Sequence, residues 1–369
     1  MLKAIITNNY FKTLNWFALD SCLRLASALV VGVMLARYLG PADYGKFTLI
    51  YTIYILLNVI VKFGLDANII KQLKATKTPC ENILSSAMII RFFLSLIINI
   101  VVLIFFLIYE AEQYVFYISL ALFFICTEVY EPYFVSKNDG KTLSLVKISA
   151  LVVSTSLKLM IIYLDLGVTF LIFNILIESM LLGLFFWMSS KSIRPIFDFS
   201  TIKKLLISSI PLVLNNLLIV AFIKVDQIMI NLILGERDLG IYAAGIKITE
   251  TSFILATIVS TAVFPYLINI SSNKIILYEK SFQIISVFAW IGILFSMLLF
   301  FLSDYLVLIF GQPYVESIDI LIITCWIIPL AYVGSIFNKL ILVEGFTYII
   351  LRKSLLAFLI NITLNYLLI

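Results

Sequence analysis

Long apolar runs, broken only by short polar connections, fill this chain from end to end. Eleven runs stand out, at about 13–36, 45–66, 83–108, 114–136, 144–164, 167–189, 205–233, 240–268, 282–303, 318–338 and 352–369, each near the ~20 residues that cross a ~30 Å hydrocarbon core. The runs are solid rather than alternating. They therefore predict helices and argue against a β-barrel. A helix satisfies its own backbone groups, as a segment in lipid must. The first sharp break is Leu39-Gly40-Pro41-Ala42-Asp43-Tyr44-Gly45. Proline lacks an N–H and keeps its predecessor out of the α region. Asp43 is placed to cap the helix that follows.

Composition agrees with this pattern. Apolar residues make up 63% of the 369 residues, and the mean hydropathy is +1.12. Charged residues are 13%, against about 25% in soluble domains. The prediction is an all-α polytopic membrane protein. Its N-terminus does not read as a cleavable signal, because the first apolar run is too long and lacks a small-residue cleavage pattern.

The net charge of +5 is topological. With the N-terminus in the cytoplasm, and residues in the first turn of a span counted with the adjoining segment, 17 of the 26 Lys and Arg residues fall in cytoplasmic segments, 3 in the opposite loops and 6 deeper inside spans. This split sets the orientation and leaves no basic patch for nucleic acid. The cytoplasmic set includes Lys3, Lys12, Lys77, Lys191 and Arg194. Acidic residues such as Glu110 and Glu112 lie on the other side.

Histidine is absent, which removes the commonest general base and metal ligand. Cys22, Cys80, Cys126 and Cys325 are far apart and form no C-x-x-C, so neither a zinc site nor a disulfide framework is indicated. Gly140-Lys141-Thr142 ends like a phosphate-binding loop, but position 135 is Val and the rest of that motif is missing. No cofactor is expected.

The first break returns 195 residues later as Leu234-Gly235-Glu236-Arg237-Asp238-Leu239-Gly240. The shared pattern is L-G-x-x-D-[YL]-G. Six spans separate the copies, so the two halves point the same way, with a pseudo-two-fold axis along the membrane normal. The predicted lobes are 1–195 with six spans and 196–369 with five. The loop 190–204, holding Lys191, Arg194 and Pro195, links them. On this ruler the second lobe is one helix short, which leads us to expect a fragment of a twelve-helix protein.

Ionisable residues inside spans are costly and need a partner or water. In the first span, Asp20 and Arg24 are four apart. In the second, Tyr51, Tyr54, Asn58 and Lys62 form one polar stripe, with Asp66 four residues beyond. The seventh carries Lys224, Asp226, Gln227 and Asn231, and the eighth Lys247 and Glu250. Two readings stay open. One is a water-filled cavity between lobes, lined by Arg24, Lys62, Lys224 and Lys247 for an anionic cargo. The other is interhelical glue, with Asp20–Arg24 and Lys62–Asp66 as structural pairs. The placement on equivalent helix pairs favours the cavity. Arg91, Glu128 and Glu131 read as snorkelling residues near helix ends. Lys158 and Glu178 find no assigned place. Pro211 and Pro265 read as hinges or as packing kinks.

Leu35 to Phe47 resembles the first loop of the Wzx-type polysaccharide flippases of the multidrug/oligosaccharidyl-lipid/polysaccharide (MOP) superfamily. Leu234 to Gly240 resembles the matching loop of the second lobe. Pro211 to Asp226 is similar to the family's seventh helix, and Phe310-Gly311 with Tyr314 to its loop before the tenth. The resemblance implies a MATE/MOP-like fold of two six-helix bundles around a central cavity. It implies a bacterial plasma-membrane flippase that moves undecaprenyl-pyrophosphate-linked oligosaccharide to the outer leaflet for O-antigen, capsule or exopolysaccharide. Arg24 matches the family's cavity arginine. Tyr51, Tyr54 and Asn58 are then sugar-facing candidates, and Asp20, Asp66, Asp226 and Glu250 candidates for coupling to H+ or Na+. A polymerase and a chain-length regulator of the same pathway are the implied partners. The alternatives are a MATE-type drug antiporter and a membrane glycan polymerase.

Overall fold

The computed structural model describes residues 2–75, 79–109, 113–190, 196–344 and 347–369. Lys77, Glu110, Glu112, Lys191, Arg194 and Pro195 lie outside these, as do the side chains of Lys3, Lys12 and Pro265. The described residues are helical almost throughout, with no strand among them. In order they form α1 (Leu2–Lys62), α2 (Leu65–Ala75), α3 (Cys80–Tyr109), α4 (Gln113–Ser119), a 3₁₀ stretch (Leu120–Val129) and α5 (Tyr130–Ser136). Then come α6 (Gly140–Tyr163), α7 (Val168–Ser189), α8 (Phe199–Ile233), α9 (Glu236–Ile270) and α10 (Lys274–Phe301). The last are α11 (Ser303–Leu308), α12 (Ser317–Thr324), α13 (Ile328–Val343) and α14 (Thr347–Leu368).

Ten helical stretches among the described residues are long and apolar enough to cross a membrane. The first, Asn15–Lys74, is broken at Gly40 and supplies two crossings, which accounts for the eleven predicted spans. Gly40 sits at φ 70°, ψ 172°, outside helical geometry. Gly235 repeats this at φ 100°, ψ −177°. Only glycine adopts such angles without strain. The two glycines, rather than Asp43, therefore hold the cap positions. Asp43 and Asp238 fall in the first helical turns, where the positive end of the helix dipole favours an acid.

The chain divides into two compact units, residues 1–24 with 49–224, and 25–48 with 225–369. The first unit is built around Leu65, Ile83, Leu84, Val129, Tyr130 and Phe186. Small residues let its helices approach closely, as packing in lipid requires. A Cβ on Gly183 would lie 2.9 Å from the Thr127 hydroxyl. Asn68 ties α2 to α8, donating to the Ser209 hydroxyl at 3.0 Å. At the start of α8, Asp198 accepts from the backbone N–H groups of Ser200 and Thr201 and from the Thr201 hydroxyl at 2.7 Å. The hydroxyl bond first, then the backbone bonds, hold its carboxyl below the usual range.

The second unit centres on Phe288, Cys325, Ile328, Tyr332 and Ile336. A Cβ on Gly292 would fall 2.7 Å from the Pro329 Cα. The Tyr314 hydroxyl donates to the Ala36 carbonyl at 2.7 Å, and the Tyr44 and Tyr314 rings meet edge to face at 6.2 Å.

One feature was invisible to hydropathy. The fourth crossing contains ten residues of 3₁₀ helix, Leu120–Val129, where such runs seldom exceed about four. Pro132 follows and lacks the N–H that would close an α-helical bond to the Glu128 carbonyl.

Candidate functional site

After the break at Gly40, α1 runs helically to Lys62. Spacings of three and four put Tyr51, Tyr54, Asn58 and Lys62 on one face. That face spans about 16 Å at 1.5 Å per residue. It forms one wall of a cavity of about 330 Å³ inside the first unit. Arg24 lines the cavity as well. The rest of the lining includes Glu128 and Glu131, Lys147 of α6, and Glu178, Ser179 and Phe186 of α7.

The polar atoms are organised. The Tyr54 hydroxyl and Ser179 Oγ lie 2.7 Å apart, and Asn58 Nδ2 donates to Tyr54 Oη at 3.4 Å. The Tyr51 and Tyr54 rings are tilted against each other at 6.4 Å. Lys62 Nζ is 2.8 Å from Glu128 Oε2. Lys147 pairs with Glu131. Arg24 Nε donates to Asp20 Oδ1 at 3.0 Å. Glu178 Oε2 accepts from Lys158 Nζ at 2.8 Å and from the Ser154 hydroxyl at 2.7 Å.

Three expectations are corrected here. Lys62 does not pair with Asp66. Phe63 and Gly64 take positive φ (49° and 62°), so the helix stops between them and the i, i+4 relation is lost. Asp66 pairs instead with Arg91 Nη2 at 2.5 Å. Arg91 does not snorkel. Its side chain is 0% exposed, and Nη1 donates to the Ile125 carbonyl at 3.3 Å. Nor do the two glutamates snorkel, since both face the cavity, each in an ion pair.

Of the sequence candidates, then, Arg24, Tyr51, Tyr54, Asn58 and Lys62 share one cavity, and Asp20 is joined to it through Arg24. Asp66 lines a smaller pocket of about 190 Å³ with Lys62, Gly64 and Asn216. Lys224, Lys247, Asp226 and Glu250 line neither. In the second unit Asp226 accepts a hydrogen bond from the Tyr242 hydroxyl. There Lys247 lies along α1 where Gly32 leaves room, its Cε 3.0 Å from where a Cβ would stand. Sequence reasoning missed Glu128, Glu131, Lys147, Glu178 and Ser179 as cavity residues. The available signal was that each charge sits in an apolar run and needs a partner.

The polysaccharide biosynthesis protein family matches residues 34–319, well over half of the chain. The chain belongs to this family. Curated protein sequences offer no match. Solved structures resemble it in fold. One is a MOP superfamily transporter from Pyrococcus furiosus, described by the reverse polarity of its binding pocket. It is 16% identical, with 96% of this chain and 95% of that one covered and a TM-score of 0.61. An inward-facing multidrug resistance MATE transporter is 15% identical, over 92% and 94% of the two chains, with a TM-score of 0.57. An outward-facing one is 17% identical, over 97% and 92%, with a TM-score of 0.58. This member of the polysaccharide biosynthesis family is thus a multi-pass membrane protein with the MATE/MOP fold.

Proposed function

We propose that the chain is a flippase that carries undecaprenyl-pyrophosphate-linked oligosaccharide repeat units from the inner to the outer leaflet of a bacterial plasma membrane. The observation that carries this reading is the match to a polysaccharide biosynthesis family over 34–319 in a chain with a transporter fold. A transporter in such a pathway has a cargo that is made on one face of the membrane and used on the other. The cavity of the first unit supports it, with tyrosines, an amide and charged groups in a membrane-spanning setting.

In this proposal the N-terminus is cytoplasmic, and two lobes, 1–195 and 196–369, alternate in access. The similar backbone geometry of Gly40 and Gly235, both at positive φ with extended ψ, supports their pseudo-symmetry. Arg24, Tyr51, Tyr54, Asn58 and Lys62 contact the cargo. Lys224 and Lys247 complete the cationic set. Asp20, Asp66, Asp226 and Glu250 are the groups for an H+ or Na+ gradient. Polymerase and chain-length regulator receive the product.

Deletion of the gene should abolish surface glycan and accumulate lipid-linked repeat units on the cytoplasmic face. Normal surface glycan, in a strain with no second flippase, overturns the proposal.

A second reading, a small-molecule antiporter, is favoured by one observation. Glu128, Glu131 and Glu178 face the cavity, and carboxylates suit cationic drugs. Drug susceptibility of the deletion strain separates the two. A glycan polymerase draws no comparable support from the cavity.

A further inference from the structure

The cavity of the first unit carries both signs of charge in equal number. Arg24, Lys62 and Lys147 stand with Glu128, Glu131 and Glu178 on its walls. The cations are already held. Lys62 lies 2.8 Å from Glu128, Lys147 is paired with Glu131, and Arg24 lies 3.0 Å from Asp20. An entering pyrophosphate would have to draw a cation away from its carboxylate. For Glu128, whose side chain is 9% exposed, losing that contact is strongly unfavourable. It also sets the freed negative charge against the phosphates at short range.

An uncharged polyol meets neither penalty. Each sugar hydroxyl donates one hydrogen bond and accepts two. It can bridge a lysine and its glutamate while the pair stays intact. Tyr54, Asn58 and Ser179 add neutral donors and acceptors, and the tilted Tyr51–Tyr54 pair offers an apolar ring face. The volume of about 330 Å³ lies at the lower end of the range for small-molecule pockets. That suits a short glycan rather than a lipid tail.

We infer that this cavity is a subsite for the glycan of the cargo, selective for uncharged sugar, and that it does not bind the pyrophosphate. The inference rests on the flippase reading above.

Saturation-transfer NMR tests it on the full chain in nanodiscs. The probes are N,N′-diacetylchitobiose, a neutral disaccharide, and inorganic pyrophosphate. The disaccharide should receive saturation, and equimolar pyrophosphate should not reduce it. Asn58→Ala should weaken binding about fivefold, the worth of one hydrogen bond. Tyr54→Phe, which keeps the ring and the packing, should do the same if Asn58→Ala fails to fold. The inference is overturned if the disaccharide receives no saturation, if pyrophosphate displaces it, or if neither variant weakens it. Export in the deletion strain reads the flippase proposal separately. Lost export with a negative binding result leaves the flippase standing and removes the glycan subsite. Normal export removes the flippase itself.

Discussion

Gly45 and Gly240 end the two copies of the repeated loop, and in the second unit each backbone fills the space of the other's missing side chain. A Cβ on Gly45 would fall 1.7 Å from the Glu236 carbonyl oxygen and 2.9 Å from the Gly240 nitrogen. A Cβ on Gly240 would fall 1.9 Å from the Pro41 carbonyl oxygen and 3.0 Å from the Gly45 nitrogen. Pro41 and Glu236 are themselves equivalent positions in the repeat. The contact is therefore reciprocal, as a pseudo-two-fold axis passing between the loops requires.

Alanine at either glycine should be costly. No flexible side chain can give way, because the obstructing atoms are backbone. We expect a loss of about 1–3 kcal/mol, the usual penalty of overpacking. Thermal unfolding in detergent should place Gly45→Ala well below wild type. The double variant Gly45→Ala/Gly240→Ala should cost less than the sum of the two, since one separation accommodates both methyl groups. Gly40→Ala is the control. Nothing lies within 4 Å of its Cβ, so only the positive φ opposes it.

The ion pair of Arg91 with Asp66 is lopsided, and its two halves should respond differently to deletion. The arginine side chain is 0% exposed, the aspartate 43%. Arg91→Met leaves a carboxylate that water can reach. Asp66→Ala leaves a buried guanidinium without a counter-charge, which typically costs about 3–5 kcal/mol. Asp66→Ala should show the lower melting temperature. Arg91→Met/Asp66→Leu should recover much of the loss. Equal melting temperatures for the two single variants would contradict the asymmetry.

These pairs mark the limit of what the chain's pattern discloses. The crossings were legible because a membrane helix needs about 20 apolar residues, and such runs are local features. The Gly40 and Gly235 breaks were legible from the repeat. The Tyr51–Tyr54–Asn58–Lys62 wall was legible because helical spacing is local too. Partner choice was not. Lys62 has an acid four residues on, yet it pairs with Glu128, because the helix stops at Phe63–Gly64 and turns Asp66 toward Arg91. Whether Arg91 snorkels or is buried depends on which neighbour covers it, and no periodicity within α3 encodes that. The 3₁₀ stretch before Pro132 likewise has no hydropathic signature.

Asp198 supplies a pH dependence. Its carboxyl is held below its usual range by the Thr201 hydroxyl and by backbone N–H groups. A depressed value in the folded state means the stabilisation is fully present above the unfolded value. It is lost as pH falls through the folded one. The stability difference between wild type and Asp198→Ala should therefore be constant near neutrality and shrink in acid. Thermal melts from pH 7 down to pH 3 would reveal a gap that does not close, if the cap is not responsible.

Arg24 is the residue that tests the cavity in cells. It lines the cavity, yet its guanidinium already holds Asp20 one turn away. The arginine side chain is 39% exposed but the aspartate only 12%, so removing Arg24 leaves a mostly buried carboxylate without its counter-charge. Arg24→Ala should therefore still insert but melt at a lower temperature, while surface glycan per inserted molecule falls about tenfold or more, as when a contact worth ~1.4 kcal/mol is lost. Wild-type glycan from normal amounts of the variant would confine Arg24 to a structural pair.

The Lys62–Glu128 pair distinguishes the sign of a charge from its balance. Lys62→Met strands Glu128, whose side chain is 9% exposed, and Glu128→Met strands Lys62. Each should cost about 3 kcal/mol, the low end for breaking a buried pair. Exchange of the two charges, Lys62→Glu with Glu128→Lys, restores an ion pair and keeps the cavity's net charge. Recovery should be incomplete. Asp66 and Glu131 both act on the charge at position 62, so a glutamate there meets two like charges that the lysine did not. Melting temperature should return part of the way to wild type. If the cavity serves uncharged sugar, export should return with it, because such a ligand senses donors and acceptors rather than net charge. If the cavity serves an anion through Lys62, the exchanged variant should fold and still fail to export. Measuring both quantities in the three variants separates a folding defect from a binding defect.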